Sequence, residues 1–286
     1  MASLPVGYMM QTYSTMAYLR KAVDEIQKFY VQEKSHNQWL VVRGLSENAT
    51  QQLDKDGFNL GVKFRFQWES TTGLIKVVPN EPHDTVTRRT QLTIHNAMLG
   101  MGMRWQSSQW MGTTTYGPAI GKGKQADDAF VPPPRCKPQV MKTGWPTLVI
   151  ETGDSEGISQ LRGDAAKWFA DSHGEVRIVL IISIKAKWID IEKWQLAPTN
   201  SPQPLTEAAV ENLCAQTPNI PPLTTQLPLN QQSYCAQEVR VAENGISGTP
   251  LILPFEALYD RVPANTIESD VIISEQDLID ITELYW

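Results

Sequence analysis

Two carboxylates and a lysine in one stretch of this chain have the types and spacing for phosphodiester chemistry. Asp127, or its neighbour Asp128, sits in a loop ahead of a buried apolar strand, Thr147 to Ile150, which is expected to deliver Glu151 at its end. Lys167 follows on an amphipathic helix, and a second buried strand runs from Val176 to Ile184. A divalent ion of magnesium type takes hard oxygen ligands, usually one or two carboxylates completed by water and substrate phosphate. Such an ion lowers the pKa of a water and neutralises the phosphate, and a lysine positions the water or stabilises developing charge. Asp127 and Glu151 are 24 positions apart (127 to 151), a gap that two adjacent strands can close. A carboxylate after an apolar strand is more often only a solvated strand end. Glu151 does better, because TLVI before it is wholly apolar, TGDSEG after it is turn-like, and sites gather at strand ends in open α/β sheets.

The elements that must position these groups follow from hydrophobic periodicity. Tyr13 to Val31 has helical spacing, Trp39 to Val42 is a short strand, and a polar helix starts near Ser46. Gly61 to Trp68 alternates apolar and polar residues, so it reads as a half-buried strand; with Leu74 to Val78 it makes a hairpin. Pro82 opens a helix over His83 to Met101. Gly100 to Pro118 reads as strand and loop, and Gly121 to Lys142 as a loop with a short strand at Ala129 to Val131. Trp188 to Trp194 alternates as a strand. Ala197 to Gln232, rich in Pro, Thr, Asn and Gln, reads as a linker or disordered segment. Short strands at Glu238 to Ala242 and Pro250 to Pro254, and helices at Phe255 to Tyr259 and Ser274 to Leu284, complete the chain. The organisation expected is an N-terminal helical extension (1–60), a core (61–196), a loop or linker (197–236) and C-terminal elements packed on the core (237–286).

Composition narrows the class. Of 286 residues, 41% are hydrophobic and 20% charged, which supports a sizeable core. No apolar run approaches the roughly 20 residues that span a bilayer, so no membrane partner is expected. The first residues lack a basic region followed by a long apolar one, so no secretory signal is expected. Cys136, Cys214 and Cys235 are widely spaced and odd in number, which argues against a zinc site or disulfide scaffold. The expectation is an intracellular protein, cytoplasmic or nuclear. The net charge of −6 weighs against extended nucleic-acid binding, which rests on basic groups. The four histidines show no metal-ligand spacing, and GPAIGKGK does not satisfy the phosphate-loop pattern. Trp105, Trp110, Trp145 and Trp168 flank the acid stretch; most are expected in the core, and some could stack on a base.

The order of pieces carries a resemblance. A hairpin, VPNEPHDTVTRRTQL, the acid loop, PTLVIETGDSE, a D-x-x-K helix, a buried strand and an IEKW strand resemble the PD-(D/E)XK nuclease-like superfamily. They are most similar to its fungal members and to bacterial restriction-endonuclease-like proteins with a P-x-x-x-x-E strand. The resemblance runs from Gly61 to Trp194, and the tail GTPLILPFEALY and DVIISEQDL resembles the fungal version. It implies an α/β, α+β-like, restriction-endonuclease-like core: a central mixed sheet flanked by helices, with the C-terminal extension wrapped on it. It implies Asp127 and Glu151 as metal ligands, magnesium or manganese as the ion, nucleic acid as partner and hydrolysis of phosphodiester bonds. The motif lysine two positions after the glutamate is Gly153 here. Related branches carry it on the next helix, where Lys167 stands, with Asp164 three residues before it on nearly the same face. Asp164 reads equally as half of a surface ion pair. His83 and Asp84 fall where the family has a histidine followed by an acid or Gln, making Asp84 a candidate further ligand, although the helix dipole alone favours an acid there. The competing expectations are a nuclease fold without hydrolysis, serving as a binding or regulatory module, and an acid–base enzyme acting on a small-molecule substrate in the same cleft. A homodimer is also expected.

Overall fold

The computed structural model describes residues 7–32, 37–78, 81–104, 106, 109–112, 114–117, 121–137, 142–154 and 157–283. His36, Pro79, Asn80, Trp105, Pro118 and Ser155, used in the sequence reading, lie outside the described residues. In chain order the first elements are β1 (Met9–Thr12), α1 (Met16–Val31), β2 (Trp39–Arg43), α2 (Glu47–Lys55), β3 (Phe64–Glu69), β4 (Thr72–Val77) and α3 (Glu81–Gly100). Next come β5 (Gln109–Trp110), β6 (Thr115–Tyr116), β7 (Lys122–Gln125), β8 (Asp128–Val131), β9 (Cys136–Lys137), β10 (Lys142–Thr143) and β11 (Leu148–Asp154). Then follow α4 (Ile158–Asp171), β12 (Ile178–Lys185), β13 (Trp188–Leu196), α5 (Glu207–Cys214) and β14 (Ser233–Ala242). The chain closes with β15 (Gly245–Ser247), β16 (Leu251–Leu253), α6 (Phe255–Tyr259), β17 (Val271–Ile273) and α7 (Glu275–Thr282).

The strands form two main mixed sheets. The first has the order β1-β2-β4-β3-β7-β6, and the second β15-β14-β13-β12-β11-β8-β5. In the second, β11 is antiparallel to β8 and parallel to β12, with α4 as the crossover between the parallel pair. Side-chain parity splits its core. Leu148 and Ile150 of β11 with Leu180 and Ile182 of β12 face α3 and the C-terminal elements, while Val149, Val179 and Ile181 face α4. The first sheet packs α1 and α2 through Leu19, Val23, Ile26, Leu40, Leu53 and Phe66. Helix starts follow their sequence caps: Thr15, Ser46 and Thr206 accept from first-turn amides, and Ser274 forms a reciprocal capping box with Asp277.

Four expectations are corrected. Residues 1–60 are not only helical, because β1 and β2 belong to the first sheet beside the hairpin β3–β4. Lys122 to Gln125 is a buried strand, not a loop. β11 continues through Thr152 and Gly153 to Asp154, so Glu151 lies within the strand and not at its end. Residues 197–232 are not a linker. They hold α5, and Arg177 donates to the carbonyls of Pro222 and Leu223 while the Gln226 amide bonds His173 O. The tail behaves as expected in packing on the core: Leu253, Phe255, Tyr259, Ile273 and Leu278 share a cluster with α3, β11 and β12.

Candidate active site at the seam of the two sheets

The chain passes from the first sheet to the second at Ala126 and Asp127, between β7 and β8, so Asp127 stands at the seam. Its side chain is fully buried. Oδ2 accepts from Lys76 Nζ at 2.9 Å and from the Thr152 amide at 2.9 Å, and lies 3.3 Å from His83 Nε2. Oδ1 lies 3.1 Å from Arg65 Nε, an ion-pair distance, but the two are not aligned for a hydrogen bond and neither atom has a hydrogen-bond partner among the described residues. Burial opposes ionisation of Asp127, but Lys76, His83 and Arg65 outweigh it and hold its pKa well below the ordinary value. Asp128, the alternative, turns away. Its Oδ1 accepts from the Gly112 and Ala129 amides, and burial raises its pKa.

Glu151 comes to the same place because β8 and β11 are adjacent: the amide that follows Glu151 in the chain is the one that bonds Asp127. By parity Glu151 faces α4 with Val149, and Thr152 faces α3. There Thr152 Oγ1 meets Thr87 Oγ1 at 2.7 Å and its carbonyl lies 3.0 Å from His83 Nε2. Glu151 Oε1 accepts from Trp168 Nε1 at 2.6 Å and sits 3.2 Å from Lys124 Nζ. Burial raises the Glu151 pKa, and Lys124 only partly offsets it. Lys124 also pairs with Asp164 at 2.7 Å, and its ammonium lies 5.4 Å from the Trp168 ring centre. Burial pulls its pKa down, but Asp164 and Glu151 together raise it.

Asp127, Glu151 and Asp164 are thus brought together. Asp164 is buried with Lys124, not half of a surface pair with Lys167. Lys167 makes its ion pair with Asp171 at 3.7 Å, and among the described residues none joins it to Asp127 or Glu151. Asp84 is half-exposed, pairs with Lys63 at 2.5 Å and reaches the site only through His83, whose Nδ1 lies 3.4 Å from it. Burial lowers the His83 pKa, but Asp127 and Asp84 raise it overall. Sequence reasoning missed Arg65, Lys76 and Lys124. Arg65 and Lys76 occupy polar positions of an alternating hairpin that reads as its solvent side, and that side faces the second sheet.

The cleft between these groups is lined by Trp39, Arg65, Lys76, Lys124, Glu151 and Asp164 among others, with a free volume of ≈ 20 Å³, about the space for one or two waters or a small ion. Among the described residues no three His, Cys, Asp or Glu side chains converge on one ion position. Magnesium, however, commonly takes only one or two carboxylates plus substrate phosphate. Glu151 lines the cleft and is a donor of that kind, whereas Asp127, whose Oδ1 carries no hydrogen bond, is fully buried and is not part of the cleft lining. The charges set a condition. Arg65, Lys76 and Lys124 balance Asp127, Glu151 and Asp164, so a divalent ion needs its own anion beside it. The chain matches no protein-family model and no curated protein.

Proposed function

We propose that this chain is a PD-(D/E)XK-type phosphodiesterase whose motif lysine is supplied by Lys124. The observation that carries the reading is the hydrogen bond from the Thr152 amide to Asp127 Oδ2, which ties Asp127, just ahead of β8, to β11 next to Glu151. The order α3, β5, β8, β11, α4, β12, with β11 antiparallel to β8 and parallel to β12, supports a restriction-endonuclease-like core. Lys124 repairs the departure at Gly153. A Cβ at Gly153 would lie 3.2 Å from Leu161, so a side chain there meets α4, while Lys124 reaches Glu151 from the first sheet.

In this reading Asp127 and Glu151 would hold magnesium or manganese, which would supply an activated water and neutralise the phosphate. Asp127 stays ionised because Lys76, His83 and Arg65 surround it. Glu151, which burial makes more basic than an ordinary carboxylate, would take the proton from the attacking water through the carboxylate oxygen not engaged by the ion. Lys124 stabilises the negative charge that develops beside it. The charged lining favours a polar, ion-bridged group such as a phosphate over an apolar small molecule.

A second reading, a nuclease fold that binds without cutting, is favoured by the donors that already engage Asp127. One assay separates the two. Supercoiled plasmid, single-stranded DNA and RNA are incubated with the full chain in magnesium, manganese or EDTA. Metal-dependent cutting, lost in Glu151→Gln and reduced by about 10²–10³ in Lys124→Met, supports the phosphodiesterase. Salt-sensitive binding without cutting supports the second reading, and neither cutting nor binding sinks both.

A further inference from the structure

A second cavity, of ≈ 140 Å³, shares no lining residue with the cleft beside Glu151. Its wall carries Lys193, which is 1% exposed. Lys193 continues the inward row Ile189, Ile191 of β13, where the pattern calls for an apolar residue. The ladder to β14 is irregular at this point: Lys193 pairs with Gln237 and Trp194 with Cys235, so Ala236 is left over as a bulge. Bulges re-aim side chains and recur beside sites.

The Lys193 ammonium donates to Asn219 Oδ1 at 2.7 Å and to Ile252 O at 2.9 Å. Asn219 is itself fixed by donating to Ala236 O at 3.2 Å. Both acceptors are neutral, and both belong to cavity-lining residues. An ammonium has three donors, so one remains. Among the described residues no carboxylate stands within ion-pair distance of it. Cys214 also lines the cavity and Cys235 stands near, but burial raises both thiols, Cys235 to about 12, so neither supplies a negative charge at neutral pH. Burial brings Lys193 down to about 8, with the more distant Asp270 opposing, which leaves it mostly charged at pH 7. A buried charge without a counter-ion costs several kcal/mol. The open volume beside it is where a counter-ion fits.

We propose that this cavity binds a small oxyanion, a carboxylate or phosphate group, through Lys193. The proposal does not depend on the phosphodiesterase reading. The test uses the full chain with sodium acetate or sodium phosphate as probes, ionic strength held constant with sodium chloride. Acetylation of Lys193 by an amine-reactive ester is followed by mass spectrometry at pH 7, and thermal unfolding is recorded alongside. Binding of the anion raises the Lys193 pKa; each unit lowers the free amine about tenfold. Saturable protection of about that size, with a rise in Tm, is expected from one probe, and which probe acts distinguishes carboxylate from phosphate. Lys193→Met removes the charge at similar length and is expected to fold and lose the Tm response. An equal response in Lys193→Met, or no protection by either probe, overturns the proposal. Trapping of an aldehyde on Lys193 by borohydride without any anion effect also overturns it and assigns the lysine to imine chemistry.

Discussion

Asp127 lies within ion-pair distance of Arg65, Lys76 and His83, and this environment sets a signed pH dependence. Its folded pKa is depressed. It therefore contributes stability that is present above the unfolded value, about 3.9, and is lost as pH falls through the folded value. His83 has the opposite sign. Its folded pKa is raised, so its contribution is complete below about 6.5 and is lost as pH rises through the folded value. Urea unfolding from pH 3 to 9 is expected to show both limbs, and His83→Gln to flatten the upper one and, by removing one of the groups that depress Asp127, to weaken the acidic one. Asp127→Asn leaves Lys76 and Arg65 buried without their counter-charge, and is expected to cost about 3–5 kcal/mol. Trp168→Phe is a finer probe. It deletes the donor to Glu151 Oε1, and loss of a hydrogen bond to the charged form raises a carboxyl pKa. The acidic limb of the pH–rate profile for cleavage should move up, with little change at its plateau. An unmoved limb would separate Glu151 from the proton transfer.

Helices and strands with strong periodicity were legible in the sequence: α1, α3, β12 and β13 lie within a few residues of their expected spans, and a helix, α4, carries Lys167. What was not legible arises from contacts between the sheets. Lys122 to Gln125 read as a loop because KGKQ is polar and glycine-containing; it is a strand because it pairs with β3 on one side and β6 on the other. Gly123 is there for closeness. A Cβ on it would lie 2.4 Å from the Trp68 ring and 2.8 Å from Thr115. Gly123→Ala must push β7 off β3 and carry Lys124 away from Glu151. We expect a loss of about 1–3 kcal/mol, as for overpacking, together with a fall in cleavage. If stability falls while cleavage does not, Lys124 is not the lysine of the site. That Asp127 and Glu151 fall on adjoining stretches of one sheet was legible because both flank apolar runs. The cations were not, because a strand of alternating pattern looks the same whether its polar face meets water or another sheet. Lys167 was chosen from spacing on α4, but its turn of the helix meets Asp171 and Lys122, so proximity in sequence to Glu151 did not become proximity in space.

Across the whole molecule, two sheets with separate apolar clusters are joined by a polar seam, and a second polar tie binds the peripheral segments. Arg177, at the entry to β12, is that tie. Its guanidinium donates to Gly174 O, Pro222 O and Leu223 O, and pairs with Asp260 at 3.0 Å. It joins the 215–227 segment and the tail beyond α6 to the second sheet, and Arg135, which pairs with the same Asp260, reaches the carbonyls of Trp145 and Glu175. Arg177→Met keeps most of the stem but leaves three carbonyls without their donor. Arg135 still neutralises Asp260, so the loss should sit near the low end of the range for a broken buried pair, about 3 kcal/mol. The manner of loss is as diagnostic as its size. If Arg177 holds the segment to the core, its removal lets 215–227 open before the sheets do. The native state then exposes more surface, the urea m-value falls along with the midpoint, and proteolysis concentrates in that segment. If the segment is held by its apolar contacts instead, the midpoint falls at constant m and the proteolytic pattern stays as in the wild type. Because Arg177 stands apart from Asp127 and Glu151, cleavage measured well below the variant's midpoint should be unchanged, separating the architecture of the periphery from the chemistry of the seam.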